Sequence, residues 1–183
     1  MEFWQQQFYI DTVSKGLLDN IASPTIDVIM KNITNLASPT AFYIMAAAAF
    51  IYFVFKRKMT SGLFLVASLF AAWVIMNWSK LLFMRERPAG EQLTNAGGYS
   101  FPSGHATLSL VFYGFLIYLL LDQSRSNWSK IIAGWLALLI LLIGVSRIYL
   151  NVHFATDVLG GFALGGILLI FFILTFRFIA PRS

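Results

Sequence analysis

Long apolar stretches without Asp, Glu, Lys or Arg recur between residues 41 and 176. A helix needs roughly 20 apolar residues to cross the hydrocarbon core of a bilayer, so each stretch predicts a transmembrane helix. The predicted spans are residues 41–55, 59–79, 106–121, 131–146 and 158–176. The third and fourth are short, but the turns that carry His105 and Arg147 can lengthen them.

The first 38 residues follow a different pattern, in which apolar residues recur at helical spacing between charged ones. The apolar positions are Val13, Leu17, Ile21, Ile26, Ile29, Met30 and Ile33. The charged residues that interrupt any span there are Asp11, Lys15, Asp19, Asp27 and Lys31. This pattern is typical of an amphipathic helix at the membrane interface, and Ser23-Pro24 predicts a break in it.

Composition agrees with a membrane protein, because 58% of the residues are hydrophobic and only 11% are charged. About a quarter of an ordinary soluble domain is charged, so the composition argues against a water-soluble globule, a disordered chain and a nucleic-acid-binding module. We predict an all-α, polytopic membrane helical bundle in one domain, residues 1–183. Residues 1–38 are its interfacial segment and residues 39–178 its transmembrane bundle. The chain has no cysteine, which excludes disulfides and thiolate chemistry.

Basic residues predict which ends of the spans face the cytoplasm. If there are five spans, one side of the membrane carries the basic residues Lys56, Arg57, Lys58, Arg125, Lys130, Arg177 and Arg182. Asp122 is the acid on that side. By the positive-inside tendency this side is cytoplasmic. The bias is clear only when Lys80, Arg87 and Arg147, on the opposite side, are set aside as functional residues.

The remaining polar residues of the membrane part form three clusters near the ends of spans. The first cluster follows the second span, the next opens the third span, and the last lies between the fourth and fifth spans. Their members are Lys80 and Arg87; Ser103, Gly104 and His105; and Arg147, His153 and Asp157. Ends of even-numbered spans and starts of odd-numbered spans lie on one side of a membrane. We therefore expect the three clusters to meet at one surface.

These residue types predict a phosphate pocket. Lys80, Arg87 and Arg147 supply three cations, and the planar guanidinium of arginine suits phosphate oxygens. Ser103 and Gly104 lie where a helix begins, so we expect unpaired backbone N–H groups and the positive end of a helix dipole there. Gly104 also lets the backbone approach an oxyanion closely.

Both histidines of the chain fall in these clusters. His153 and Asp157 are four residues apart, so on one helix they share a face, and Asp157 can accept from one ring nitrogen while the other points at the substrate. Such a pair serves a nucleophile or a general base. His105 is then available to donate a proton to the leaving oxygen.

Taken together, the clusters form three motifs with defined spacing. In the first motif, six residues separate Lys80 from Arg87-Pro88. The second motif is Pro102-Ser103-Gly104-His105. In the third, five residues separate Ser146-Arg147 from His153, and three more separate His153 from Asp157. In these motifs the chain resembles the type 2 phosphatidic acid phosphatase superfamily, over roughly residues 59–176. Many membrane members of that family have six spans, whereas five are counted here.

The resemblance implies an integral-membrane lipid phosphatase that works without metal or cofactor. In this family the histidine matching His153 attacks phosphorus, and the aspartate matching Asp157 orients it. The histidine matching His105 protonates the leaving group, and water then hydrolyses the phosphohistidine. Residues matching Lys80, Arg87, Ser103, Gly104 and Arg147 hold the phosphoryl oxygens.

The resemblance also implies partners and a location. The candidate substrates are phosphatidylglycerophosphate, undecaprenyl diphosphate and phosphatidate, reached from the bilayer at the extracytoplasmic face of the cell membrane. Members that act on isoprenoid diphosphates often carry Asp at the position of Gly104, so glycine here favours a glycerophospholipid or a broad substrate range. No nucleic-acid partner is expected.

Several alternatives stay open at this point. Arg85 is interpreted as a helix anchor near the membrane surface, and Glu86 and Glu91 as residues of a solvated loop. The glycines of residues 160–166 predict close helix packing within the bundle, with dimerisation as the alternative. The alternative functions are a vanadate-dependent haloperoxidase and a lipid-binding or transport protein with a vestigial site.

Overall fold

The computed structural model describes residues 7–124 and 126–180, and within them it contains helices and no strands. Residues 1–6, Arg125 and Arg182, which enter the predictions above, lie outside the described residues. The helices are α1 Tyr9–Asp19, α2 Pro24–Asn35, α3 Pro39–Phe55, α4 Met59–Phe83, α5 Gly104–Gln123, α6 Asn127–Tyr149 and α7 Ala155–Ile179. The predicted all-α bundle with an N-terminal helical segment is confirmed.

Serine caps followed by proline set the breaks between the first three helices. The hydroxyl of Ser23 accepts from the N–H of Ile26 at 3.3 Å, and Pro24 opens α2. The hydroxyl of Ser38 likewise accepts from the N–H of Ala41 at 3.2 Å, and Pro39 opens α3. Proline lacks an N–H and fits the first turn of a helix, so the chain restarts at both points. The predicted break at Ser23-Pro24 is therefore present.

Four of these helices, α4 to α7, are each long and apolar enough to cross a membrane. Helix α3 has 17 residues. It is long enough to cross a membrane only together with α2, and the two helices are bent by 47° relative to each other. The part of the chain that the structure describes thus has four transmembrane candidates, or five if the bent pair makes one span. This agrees with the predicted count of about five and identifies the first span as the irregular one.

Helix α5 lies in the centre of the bundle and packs against α4, α6 and α7. Its rings Phe112 and Phe115 are buried together with Leu65 of α4 and Ile143 of α6. The large buried side chains of α5 therefore hold the neighbouring helices around one core.

Glycines let α7 approach α5 closely. A Cβ at Gly161 would lie 2.7 Å from the carbonyl oxygen of Ser103, and a Cβ at Gly165 would lie 2.9 Å from that of Thr107. Both distances are shorter than real side chains allow, so glycine is required at these two positions. The predicted packing role of these glycines within the bundle is confirmed.

The two N-terminal helices pack against α6 and α7, near the C-terminal end of α6. Leu18 of α1 and Ile26 and Met30 of α2 contact a small buried cluster of Tyr149, Leu150 and Val152. Other apolar residues of the segment, including Val13, Leu17 and Ile21, are exposed. Part of the amphipathic face is therefore covered by protein, and the rest is exposed.

Candidate active site

The three polar clusters meet at one end of the bundle, as the span order predicts. They come from the end of α4 with the loop of residues 84–103, the first turn of α5, and the end of α6 with the turn of residues 150–154 and the start of α7. Backbone bonds join the segments: the N–H of Ser103 donates to the carbonyl of Asp157 at 3.0 Å, and that of Leu93 donates to Leu150 at 3.1 Å. The clusters thus form one structural unit.

His153 lies in the turn before α7 and not on the helix itself, so the expectation of one shared helical face is wrong. Its backbone N–H and that of Val152 both donate to the carbonyl of Arg147 at 3.2 Å, which folds the turn back over the end of α6. The side chain nevertheless lies next to Asp157: Nδ1 is 3.4 Å from Oδ2, although the two atoms do not form a hydrogen bond. The pair is completed by the turn instead of by helical periodicity.

Asp157 is fully buried in the first turn of α7. Its Oδ2 accepts from the N–H of Phe154 at 2.9 Å, which caps the helix and directs the carboxylate back toward His153. Asp157 therefore caps the helix, and the same carboxylate faces His153.

The other ring nitrogen of His153 faces a cation. Nη1 of Arg87 lies 3.3 Å from Nε2 of His153, and it also donates to the carbonyl of Val152 at 2.6 Å. The remaining donors of Arg87 reach the carbonyls of Gly97 and Gly98 at 2.7 and 3.0 Å. Arg87 thus links the loop of residues 84–103 to the His153 turn.

Lys80 and Arg147 complete the cationic wall. Lys80 donates through Nζ to the carbonyl of Tyr99. Arg147 is 3% exposed, and its Nη1 donates to the hydroxyl of Thr34 in α2 at 2.7 Å. Its Nε has no hydrogen-bond partner among the described residues, so one donor of this buried guanidinium is available to a ligand.

Ser103 and Gly104 lie at the start of α5, but the hydrogen bonds of Ser103 differ from those expected. The backbone N–H of Ser103 is already paired, because it donates to the backbone carbonyl of Asp157. The hydroxyl of Ser103 is fully buried, makes no capping bond and has no partner among the described residues. The side chain of Ser103 is therefore the available polar group at this residue, while the first N–H groups of α5 still have no carbonyl within the helix.

His105 occupies the second position of α5. The charged and titratable groups that act on its imidazole are Arg147, His153, Lys80 and Arg87. All the residues predicted for the site are thus assembled at this end of the bundle.

Burial and charge keep His153 neutral. Removal from water lowers the pKa of the His153 imidazole well below its usual range, and the charges of Arg87, Arg147 and Lys80 lower it further. Burial also lowers the pKa of Arg87. With Nδ1 facing a carboxylate and Nε2 facing a donor, the favoured tautomer carries its proton on Nδ1. The lone pair of Nε2 then points toward the cations.

A cavity of about 590 Å³ reaches this centre from the side of α1. Its lining residues include Arg87 and His153, together with Gln7, Lys15 and Asn151. Within residues 7–124 and 126–180, no group of three or more acidic or histidine side chains comes together in a way that could hold a metal ion.

Arg85 is not the surface anchor expected from the sequence. It is 2% exposed, and its guanidinium lies between the carboxylates of Asp157 and Asp11, 2.6 and 3.1 Å away. Sequence reasoning also missed Asp11 and Thr34, which bring the N-terminal helices into contact with Arg85 and Arg147. The position of Arg85 within the first motif was the one available signal, since Asp11 resembles any acid in the first turn of a helix.

Similarity to known proteins agrees with the geometry. A family model described as the PAP2 superfamily matches residues 61–180. The chain is 34% identical over 162 residues to phosphatidylglycerophosphatase B of Bacillus subtilis, with 84% of this chain and 75% of that protein covered. It is 30% identical over 131 residues to an undecaprenyl-diphosphatase of Sulfolobus acidocaldarius, with 67% and 59% covered.

A solved structure has the same fold. It is the crystal structure of a transmembrane PAP2 type phosphatidylglycerolphosphate phosphatase from Bacillus subtilis, which superposes with a TM-score of 0.87 at 27% identity. The superposition covers 94% of this chain and 87% of that one.

Proposed function

The chain belongs to the PAP2 superfamily and is a multi-pass membrane protein, and from that premise we propose that it is a lipid phosphatase that forms a phosphohistidine on His153. The observation that carries the proposal is the environment of this one imidazole. Nδ1 lies 3.4 Å from a buried carboxylate, and Nε2 faces the guanidinium of Arg87 at 3.3 Å. A neutral nucleophile is thus directed at the place where cations would hold a phosphate.

In the first step, the lone pair of Nε2 attacks phosphorus, and the bond from phosphorus to the leaving oxygen breaks. The electron pair of that bond goes to the leaving oxygen, which takes a proton from the imidazolium of His105, the form that a bound phosphate dianion favours. Asp157 stabilises the proton on Nδ1 as the ring becomes cationic. To reach Nε2, the phosphoryl group takes over the contact that Nη1 of Arg87 makes there.

In the second step, water attacks phosphorus, the bond from phosphorus to Nε2 breaks, and inorganic phosphate leaves. His105, now neutral, takes a proton from that water. Throughout, Lys80, Arg87 and Arg147 neutralise the phosphoryl oxygens, and the hydroxyl of Ser103 with the N–H of Gly104 donates to them. Phosphoryl transfer depends mainly on positioning and charge stabilisation, which this set supplies without metal or cofactor.

The substrate is proposed to be a phosphomonoester or diphosphate of a membrane lipid. Phosphatidylglycerophosphate, undecaprenyl diphosphate and phosphatidate are the candidates, because similar proteins are named for the first two. The exposed apolar faces of the helices beside the site would hold the lipid tails in the bilayer while the headgroup reaches the cavity.

We also propose that residues 1–183 form one membrane-embedded domain, with residues 1–38 at the interface, and that the site opens at the extracytoplasmic face. The basic turn Lys56-Arg57-Lys58 lies at the other end of α4 from Lys80, as the positive-inside tendency favours. The packing of α1 and α2 on α6 and α7 supports one domain. A single cooperative unfolding transition in detergent is expected, and separate transitions for the N-terminal helices would contradict it.

Phosphate release from the three lipids in detergent, with a chelator in excess, tests the proposed function. We expect turnover of at least one lipid that does not change when the chelator is added. The His153→Ala variant is expected to lose on the order of 10⁴-fold or more in kcat, as removal of a nucleophile does. Lys130→Ala, a cation at the opposite end of the bundle, is the matched control and should retain full activity. Strict dependence on Mg²⁺, or an active His153→Ala variant, would contradict the proposal.

A further inference from the structure

A buried arginine joins the N-terminal helix to the carboxylate that orients His153. Nη1 of Arg85 donates to Oδ1 of Asp157 at 2.6 Å, and Nη2 donates to Oδ2 of Asp11 at 3.1 Å. All three side chains are at most 2% exposed. Burying three ionised groups is costly unless each is paired and hydrogen-bonded. The three side chains therefore depend on one another for their hydrogen-bond partners.

Asp11 makes further bonds to the helix that carries Asp157. Its Oδ1 accepts from the N–H of Thr156 at 2.8 Å, and its Oδ2 accepts from the hydroxyl of Thr156 at 3.0 Å. Nη1 of Arg85 also donates to that hydroxyl at 2.6 Å. A carboxylate from α1 thus lies at the positive end of α7, and Arg85 separates it from Asp157.

The bonds of Asp157 divide its carboxylate between two tasks. Oδ1 is held by Arg85, while Oδ2 accepts from the N–H of Phe154 and faces Nδ1 of His153. The guanidinium carbon of Arg85 also lies 4.2 Å from the centre of the Phe154 ring, which fixes the position of the arginine. With one oxygen anchored on each side, the carboxylate cannot rotate away from His153.

Arg85 differs in this from the other cations of the site. Lys80, Arg87 and Arg147 are the charges that act on His153, whereas Arg85 is bound to the two carboxylates. Its role therefore concerns the orientation of Asp157 and not the binding of a phosphate.

We infer that Arg85 and Asp11 are positioning residues of the active site, and that helix α1 is part of the catalytic centre because it supplies Asp11. The inference rests on the proposed phosphatase function. It predicts that loss of either residue slows the attack by His153 while leaving lipid binding nearly unchanged.

Steady-state and rapid-quench kinetics on Asp11→Asn and Arg85→Gln test this inference. For Asp11→Asn we expect kcat and the rate of phosphoenzyme formation to fall on the order of 10-fold, as is found for residues that orient metal-binding side chains. For Arg85→Gln we expect about 100-fold, the typical effect of a misplaced reacting group. KM should stay within about twofold in both. The double variant should be no slower than Arg85→Gln alone, because both residues act through Asp157.

Asp19→Asn is the matched control, since it removes an exposed carboxylate from the same helix, and it should keep wild-type kcat. Asp11→Asn keeps the side-chain volume and an oxygen that accepts from Thr156, so it decides the matter if Arg85→Gln does not fold. Folded variants with wild-type kcat, or a KM that rises as much as kcat falls, would overturn the inference. An inactive wild-type protein would instead refute the proposed function.

Discussion

Charge balance among a few residues fits the proposal that this buried site accepts a doubly charged phosphate. The site holds four cations, Lys80, Arg85, Arg87 and Arg147, and two carboxylates, Asp11 and Asp157. The carboxylates are bound to Arg85, so with both histidines neutral a formal excess of two positive charges remains, which matches a phosphomonoester dianion. The same excess opposes protonation of His153, because a further positive charge there would add to the repulsion.

The protonation of His153 can be measured directly, because the chain has only two histidines. Burial and the neighbouring cations lower the pKa of His153, so the ring should stay neutral, with its proton on Nδ1, as the pH falls through 6.5. An Arg87→Gln variant should raise that pKa, since it removes one of the cations that lower it. Nitrogen NMR of protein labelled with ¹⁵N in its histidines, in detergent, measures the pKa of His153 and the position of its proton. The His105→Gln variant assigns the signals.

The opposite NMR result is equally clear. Titration of His153 near pH 6.5, or a proton on Nε2 at neutral pH, would mean that the nucleophile is not prepared as the geometry indicates.

Residue spacing predicted the members of the site but not all of their partners. Lys80, Arg87, His105, Arg147, His153 and Asp157 could be found because chemistry fixes which residue types recur at which intervals. Asp11 and Thr34 could not, because a bond across more than a hundred residues depends on tertiary packing. The state of Ser103 could not be predicted either. Its backbone N–H donates to the carbonyl of Asp157, at the start of a different helix, and its hydroxyl has no partner among the described residues.

At the scale of helices, the contact between α5 and α7 sets the distance between the two halves of the site. Ser103 immediately precedes α5, which carries His105 in its first turn, and α7 carries Asp157. Gly161 and Gly165 allow the close approach, because a Cβ at either would press on a backbone carbonyl of α5. A helix backbone yields less easily than the end of a side chain, so larger residues there should separate the helices.

Alanine at these glycines tests the importance of the contact. We expect Gly161→Ala and Gly165→Ala each to destabilise the protein by about 1–3 kcal/mol, the usual cost of overpacking, and to lower kcat. Gly166→Ala on the same helix is the control, because the nearest atom to its Cβ would be 3.9 Å away. It should be neutral or stabilising by up to about 1 kcal/mol. Thermal unfolding in detergent measures the difference, and equal stability of all three variants would contradict the close-packing role.

Helix positions were largely predictable, whereas helix relations were not. Apolar length and serine-proline caps located the helices because both effects are local. The angle of the bend between α2 and α3 has no signal in the apolar pattern. The turn that carries His153 is closed by backbone bonds to the carbonyl of Arg147, with Asn151 at a positive φ. This is why the predicted helical spacing of His153 and Asp157 was wrong although the pair itself is present.

At the scale of the whole molecule, the arrangement separates two sets of charges at opposite ends of a membrane bundle. The turn Lys56-Arg57-Lys58 lies at one end of α4, and Lys80 with the loop of residues 84–103 lies at the other. Because the chain has no cysteine, single cysteines can report on each end without a background.

Cysteine labelling in intact bacterial cells tests the proposed orientation. Asn95→Cys, at an exposed position of the loop, should react with a membrane-impermeant maleimide, whereas Lys56→Cys should react only after the cells are permeabilised. The reverse pattern would place the site at the cytoplasmic face and contradict the proposal.

The most direct test of the phosphohistidine mechanism is to trap the phosphoenzyme. Wild-type protein is mixed with a lipid labelled with ³²P in its terminal phosphate, quenched within milliseconds in alkali, digested and mapped. We expect a label that is stable in alkali, is lost in acid and lies on the peptide containing His153, and no label in His153→Asn. A label on Ser103, or phosphate release by His153→Asn at the wild-type rate, would contradict the assignment of His153 as the nucleophile.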